Sequence, residues 1–206
     1  MGDQNTTMIH FIRHGTVHNP KGIYYGRLPG FGISGEGMRL ARSLETVLSP
    51  MPIQRIISSP LLRAKQTAWA IAGFYEGIHV STSNYLNESY TPFDGRPICE
   101  LQARNWDIYS GNEKPFEQPT DIFQRGLKFI NKYRKIYSGQ QIIAVTHADV
   151  IVFLALWATG YDAEYRNKIL IEMKEINIPF PAPASITSFS WKDGSAHPEL
   201  SYFQPG

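Results

Sequence analysis

The chain has 206 residues, of which 42% are hydrophobic and 13% aromatic, enough apolar side chain for the core of a single domain. Twenty Lys and Arg against 18 Asp and Glu leave a formal charge of +2, which argues against a dedicated binder of nucleic acid or of an anionic membrane. The only cysteine, Cys99, can form neither an internal disulfide nor a cysteine-based metal cage. With no signal sequence or apolar membrane span to be seen, we expect a cytoplasmic protein.

The first half of the chain predicts strands alternating with helices. Short β-rich runs, bounded by glycine, proline and polar residues, predict strands over residues 8–13, 53–58 and 78–81. One helix is predicted from a cap at Ser34 to about Leu48, and another from Leu61 to Phe74. Residues 82–120 carry several prolines and little periodicity, and we expect them to form an inserted lid within one domain that spans 1–206.

The second half continues the alternation and closes with a hairpin. Thr120 or Asp121 is predicted to cap a helix that runs to about Tyr137. A buried strand over 141–146 and a helix over 150–159 follow. Residues 185–191 and 200–203 are predicted to pair as two strands that turn near 192–194.

Strands that alternate with helices predict an α/β fold, a three-layer α/β/α sandwich with a mainly parallel sheet. Ligands of such folds bind beyond the carboxyl ends of the strands. Three segments stand at those ends, namely 13–15, 58–60 and 146–148.

The segments at the strand ends supply a consistent set of side chains. Arg13 and His14 end the first strand, Arg63 lies one turn into the helix after the second, and His147 stands where the fourth strand meets a helix. A helix N-terminus favours an anion, and the planar guanidinium group of arginine matches two phosphate oxygens at once. Together these residues predict a site for a phosphoryl group.

Four motifs carry a resemblance to a known family. RHG at 13–15, SSPLLRAKQTA at 58–68, LNE at 86–88 and VTHADV at 145–150 stand in this order over roughly residues 8–150. In this set of motifs the chain resembles the histidine phosphatase superfamily, in its phosphoglycerate-mutase-like branch. The resemblance implies a phosphomonoesterase that acts on a small phosphorylated metabolite through a phosphohistidine.

The resemblance also implies a role for each residue of the site. His14 would attack phosphorus, and Arg13, Arg63 and His147 would hold the phosphoryl oxygens. Glu88 would protonate the leaving oxygen and then activate water, with Glu76, Asp94 and Glu100 as rival acids.

No metal and no cofactor are expected, because the arginines supply the positive charge. A zinc site on His10, His14 and His18 is rejected, since four residues along a strand span roughly 13 Å.

Other residues are candidates for contacts with the substrate. Asn19 stands where the family often has an asparagine that touches phosphate, although the segment after His14 is one residue short. Tyr25 and Arg27 lie in a glycine- and tyrosine-rich loop that is either a rim of the site or a plain surface connection. The two residues after His147 are Ala148 and Asp149, where the family has a pair of small residues. This difference is expected to narrow the floor of the phosphate site on one side.

Two other functions stay open at this point. A phosphoglycerate mutase would use the same phosphohistidine, and a non-catalytic protein of this fold would only bind phosphate. Residues 86–120 contain three cations and six acids, which makes the predicted lid acidic and favours a hydrolase over a mutase. The sequence assigns no oligomeric state.

Overall fold

A six-stranded, mostly parallel sheet forms the centre of the computed structural model, which describes residues 6–172, 174–192 and 195–206. The sheet order is β3-β2-β4-β1-β5-β6, and β5 is antiparallel to both of its neighbours. The strands are β1 (Thr7–Arg13), β2 (Ile53–Ser58), β3 (Val80–Thr82), β4 (Gln141–Thr146), β5 (Ile186–Trp191) and β6 (Glu199–Phe203).

Helices cover both faces of the sheet and complete the predicted three-layer α/β/α class, which is confirmed. The helices are α1 (Gly35–Ser43), α2 (Glu45–Leu48), α3 (Leu62–Ala72), α4 (Ile98–Ala103), α5 (Pro119–Ile136), α6 (Ala148–Ala158) and α7 (Tyr165–Glu172). Among the described residues no helix has the length and apolar character that crossing a membrane requires.

Alternation along the central strands divides the core into two clusters. Phe11 of β1 and Ala144 of β4 pack with α5 and α6, whereas Ile12 and Val145 pack with α1 and α3. Successive side chains of a strand point to opposite faces, so each of these strands is apolar on both sides. Burial of the fourth strand on both faces, as predicted, follows from this arrangement.

The helix boundaries differ from the predicted ones in instructive ways. Ser34 does cap α1, and its Oγ accepts from the N–H of Gly37 at 3.0 Å, but the predicted single helix breaks into α1 and α2 at Leu44. The cap of α5 is Gln118, not Thr120 or Asp121. The Asp121 carboxylate instead accepts a hydrogen bond from the Gln118 N–H at 2.9 Å, which completes a reciprocal capping box.

The closing hairpin and the segment 82–120 are the two remaining parts of the fold for which the sequence made a prediction. The closing hairpin forms as predicted, although residues 193–194 of its turn lie outside the described part of the chain. Residues 82–120 contain a short 3₁₀ turn over Asn84–Leu86 and helix α4. Their action as a lid stays a prediction, and α7 was not predicted at all.

The loop after β1 needs glycine because another backbone lies against it. A Cβ atom on Gly15 would meet the carbonyl oxygen of Gly37 at 2.5 Å, and one on Gly37 would meet the oxygen of Thr16 at 2.2 Å. The first turn of α1 therefore packs closely against the backbone of the residues that follow His14. Neither backbone segment can move away as a flexible side chain could.

We predict that Gly15→Ala destabilises the protein by about 1–3 kcal/mol, because the added methyl group forces two backbone segments apart. Gly35→Ala is the matched control, since a Cβ atom added there would have open space within 4 Å and the residue is exposed at the start of α1. Urea unfolding of both variants measures the difference. Equal stabilities would contradict the close approach.

Candidate active site

The register of the parallel strands gathers the predicted residues at one edge of the sheet. Arg13 of β1 pairs with Thr146 of β4, and Ser58 of β2 pairs with Val145. His14 and His147 therefore follow their strands at the same level, and Ser59 after β2 lies level with Thr146. The imidazole rings of His14 and His147 lie with their centroids 5.2 Å apart.

The Arg63 guanidinium lies fully buried at the centre of this cluster. Its Nε donates to His14 Nε2 at 3.2 Å, and its NH2 group donates to the Gly26 carbonyl oxygen at 2.7 Å and faces His147 Nδ1 at 3.3 Å. Its NH1 group and the Nε of Arg13 are buried without a partner among the described residues. Buried donors of this kind are rare and provide unused hydrogen bonds for an anion.

One ring nitrogen of His14 is fixed by a backbone bond. Nδ1 lies 2.8 Å from the Gly15 carbonyl oxygen, which can only accept, so Nδ1 carries the proton. The Nε2 lone pair then points toward Arg63. Burial, followed by the charges of Arg63 and Arg13, lowers the pKa of His14 well below its ordinary value of 6.5. The imidazole is therefore neutral near pH 7, with an unprotonated Nε2 that accepts from Arg63.

His147 faces the same point through Nδ1, while its Nε2 lies 2.8 Å from Ser59 Oγ. Burial, Arg63 and His14 lower the pKa of His147 well below 6.5. The Ser59 hydroxyl can donate or accept. It therefore permits the tautomer in which Nδ1–H of His147 donates to a phosphoryl oxygen.

Glu88 is the acid that the structure brings to the histidines. Its Oε2 lies 3.3 Å from His147 Nδ1 and 3.5 Å from Arg63 NH2, and its Oε1 accepts from Ser89 N–H at 2.9 Å. Burial raises the pKa of Glu88, and Arg63 opposes this effect. Of the rival acids, Glu76 and Glu100 are exposed, and Asp94 accepts from the Arg27 N–H at 2.9 Å.

Two arginines fix the backbone of Glu88 from behind. Arg27 Nε and Arg125 NH2 donate to the Glu88 carbonyl oxygen at 2.8 and 3.2 Å. Glu117 joins the two arginines through contacts of 2.8 and 2.9 Å. Arg27, a candidate for contact with the substrate, does not line the cavity described below and here supports the backbone of the acid, so its contact with the substrate stays a prediction. Arg125 and Glu117, which share this role, were not predicted from the sequence.

A cavity of about 540 Å³ opens in front of the cluster. Arg13, His14, Tyr25, Glu88 and Ala148 line it, which is five of the nine predicted site residues. Arg63 and His147 are fully buried and are not among the lining residues. The Arg13 guanidinium is anchored by the Pro181 carbonyl oxygen at 2.7 Å, and the Tyr25 ring packs under Arg63 at 4.7 Å.

Asn19 does not line this cavity. Its amide donates to the Ile23 carbonyl oxygen at 2.8 Å and closes a turn that ends two residues before Tyr25. Contact of Asn19 with phosphate therefore stays a prediction that none of these contacts supports.

A buried polar chain behind Glu88 was not predicted. Ser89 Oγ lies 3.1 Å from the Tyr109 hydroxyl, which donates to Asp149, and Asp149 Oδ1 lies 2.8 Å from Lys168 Nζ. Asp149 follows His147 closely in sequence and could have been found from that position. Lys168 comes from α7, which has no clear periodic pattern, so its approach to the site had no sequence signal.

His14, Glu88 and His147 present ligand atoms within 4.8 Å of one another, a spacing suited to a metal ion. The Arg63 guanidinium, however, contacts all three groups. A cation among them would lie next to a buried positive charge, so the donor set fits an anion and not a metal. His10, the other member of the rejected zinc set on β1, bonds Ser188 Oγ at 2.7 Å.

Comparisons with known proteins agree with this arrangement. The profile of the histidine phosphatase superfamily (branch 1) matches residues 9–199. An uncharacterized protein of Mycobacterium tuberculosis is 33% identical over 97% of this chain and 96% of its own length. An uncharacterized phosphatase of Bacillus subtilis is 27% identical over 84% of this chain and 89% of its own.

A solved structure supports the fold in the same way. The alpha-ribazole phosphatase from Shigella flexneri superimposes with a TM-score of 0.73 at 20% identity. The match covers 97% of this chain and 96% of that one.

The buried titratable groups predict how stability depends on pH. The unfolded chain binds protons near pH 6.5 that folded His10, His14 and His147, with lowered pKa values, do not bind. The free energy of unfolding should therefore fall as the pH drops from about 7.5 to 5.5, by up to about 1.4 kcal/mol per pH unit for each histidine. Urea unfolding across this range measures the slope.

Glu88 affects the pH dependence of stability in the opposite direction to the histidines, so a Glu88 variant is the control for this prediction. Its raised pKa lets the folded protein bind a proton that the unfolded chain takes up only at lower pH, so acidification stabilises the folded state at this group. Glu88→Gln removes that contribution and should steepen the fall. A stability that rises on acidification in the wild type would contradict the neutral histidines.

Proposed function

This chain belongs to branch 1 of the histidine phosphatase superfamily, and on that premise we propose that it is a metal-independent phosphomonoesterase that hydrolyses small phosphorylated metabolites through a phosphohistidine at His14. Membership confirms the expected enzyme class, a phosphohydrolase of this superfamily. Relatives bear the names of phosphatases, such as the alpha-ribazole phosphatase from Shigella flexneri. A cytoplasmic location stays a prediction.

The observation that carries the proposal is the state of His14. A nucleophilic imidazole has to be neutral and must present an unprotonated nitrogen to phosphorus. His14 meets both conditions, because its pKa is lowered and its proton is held on Nδ1 by Gly15. Its Nε2 lies beside the guanidinium that would bind the transferring group.

In the first proposed step, His14 Nε2 attacks phosphorus in line with the ester oxygen. The P–N bond forms as the P–O bond to the alcohol breaks, and protonated Glu88 gives its proton to the leaving oxygen. Arg13, Arg63 and His147 bind the phosphoryl oxygens, whose negative charge they stabilise in the transition state. The unpartnered groups on Arg63 and Arg13 support this assignment.

In the second step, water replaces His14 on phosphorus. Glu88, now a carboxylate, takes a proton from the water as oxygen attacks, and the P–N bond breaks to release inorganic phosphate and neutral His14. The raised pKa of Glu88 supports both roles, because a carboxyl group that titrates nearer to neutral pH can give up and regain a proton.

We predict that a brief exposure to a reactive aryl phosphate, with a chelator present throughout, labels the protein with phosphate that is stable in alkali and lost in acid. His14→Ala should abolish the label, whereas His79→Ala, at an exposed histidine, should keep it. A label that persists in His14→Ala, or one that forms only after magnesium or zinc is added, would contradict the proposed mechanism.

The same phosphoenzyme separates a hydrolase from the alternatives. Chased in water, it should release inorganic phosphate at the rate of turnover, and added 3-phosphoglycerate should capture little of it. Efficient capture of the phosphoryl group would indicate a mutase. Absence of any label or turnover across a set of phosphomonoesters would indicate a protein that only binds phosphate.

We also predict that Arg63→Ala lowers kcat by roughly 100- to 1,000-fold, the cost of removing one donor from an oxyanion site. Arg39→Ala is the control, because Arg39 pairs with Glu36 on the exposed face of α1 and does not line the cavity. Circular dichroism verifies that both variants are folded before turnover is compared. Near-normal turnover of folded Arg63→Ala would contradict the proposed role of Arg63 in binding the phosphoryl group.

A further inference from the structure

We infer that the enzyme selects esters of apolar, uncharged alcohols and disfavours substrates with a second anionic group, and that Asp149 sets this preference by neutralising Lys168. The inference rests on the proposed phosphatase function and names its substrate class. It concerns the part of the cavity that lies beyond the phosphoryl group.

The first observation is the chemistry of the cavity wall. Away from His14 and Arg13, apolar or aromatic side chains make up most of the lining, namely Ile23, Tyr25, Ile98, Trp106, Ile108 and Phe180. The volume of about 540 Å³ leaves room for an alcohol the size of a small ring system, within the range of ordinary ligand pockets. Burial of an apolar alcohol there gains free energy in proportion to its area.

The second observation is the charge balance of that wall. Arg13 and Lys168 are the Lys and Arg side chains among the described residues that line the cavity. Arg13 is the cation that the proposed mechanism uses to bind the phosphoryl group. Lys168 Nζ lies 2.8 Å from Asp149 Oδ1, and both side chains are more than nine-tenths buried. A carboxylate or second phosphate on the substrate would find no unpaired cation among these lining residues and would meet the charge of Asp149.

The third observation is the position of Trp106. Its ring lines the cavity and is 40% exposed, and its backbone and that of Asn105 adopt φ angles of 61° and 52°. Left-handed φ angles at two successive non-glycine residues are uncommon and occur often at functional sites. The Tyr165 hydroxyl donates to the Asn105 carbonyl oxygen at 2.7 Å and holds this turn in place.

These observations define three substrates with similar leaving groups, because 2-phenylethyl phosphate, glycerol 1-phosphate and 3-phosphoglycerate are all esters of primary alcohols. Relative to glycerol 1-phosphate, the first has a phenyl ring in place of the hydroxyl-bearing carbons. The last has a carboxylate in place of the terminal hydroxymethyl group. We expect kcat/KM to fall in that order, with the first exceeding the last by about 100-fold, since a lost apolar contact and an unpaired buried charge each cost about tenfold or more.

Two variants test the residues. Asp149→Asn keeps the shape and frees Lys168, so the ratio of kcat/KM for 3-phosphoglycerate over glycerol 1-phosphate should rise about tenfold. Trp106→Ala should lower the ratio for 2-phenylethyl phosphate over glycerol 1-phosphate about tenfold. Trp69→Ala, at an exposed tryptophan of α3 that does not line the cavity, should change neither ratio. Because Trp106 is partly exposed, its variant remains informative if Asp149→Asn does not fold.

Calorimetric binding to the wild type keeps this inference separate from the proposed function. 3-Phenylpropylphosphonate should bind more tightly than 2-carboxyethylphosphonate, whether or not any ester is hydrolysed. The inference is overturned if 3-phosphoglycerate is the best of the three esters or if the carboxylated phosphonate binds more tightly. Failure of the proposed function shows instead as the absence of phosphoenzyme and turnover, with the binding order unaffected.

Discussion

A fully buried guanidinium without a closely paired carboxylate is the feature on which the rest of this site depends. The nearest carboxylate oxygen to Arg63, on Glu88, lies 3.5 Å away, and NH1 has no partner in the described part of the chain. Removing such a charge from water costs several kcal/mol unless other groups compensate it. The Gly26 carbonyl oxygen and the His14 imidazole, which accept from Arg63, compensate only in part. The site is therefore short of negative charge, which a phosphoryl group would supply.

Burial and, after it, the same charge set the protonation of the neighbouring groups. Burial and Arg63 together keep His14 and His147 neutral, whereas burial raises the pKa of Glu88 against the effect of Arg63. A neutral imidazole and an acid with a raised pKa can then coexist around one cation. This arrangement needs Glu88 to stay in place. Arg27 and Arg125 hold it through its backbone carbonyl oxygen, while its carboxyl group faces His147 and Arg63.

The cavity divides into two electrostatically different halves. Positive charge is concentrated where phosphorus would lie, and the remote wall carries a matched ion pair among aromatic and aliphatic side chains. Since a buried ion pair contributes little net stability compared with apolar residues of similar volume, its presence at Asp149 and Lys168 is more readily explained by selectivity than by folding. The polar chain from Lys168 through Tyr109 to Ser89 also links this wall to the residue next to Glu88.

The sequence by itself determined the strands, the fold class and the cluster of residues at the strand ends. Strand periodicity and a strand-end position are local properties, and the register of β1 and β4 then aligns them. The tertiary structure decided what each neighbouring side chain does. Arg27 turned to the backbone of Glu88, Asn19 closed its own loop, and Lys168 reached the cavity from a helix with no clear pattern. Such outcomes depend on which side chains lie closest in space among residues that are distant in sequence. The identity of one residue and its spacing from its sequence neighbours do not determine those spatial distances.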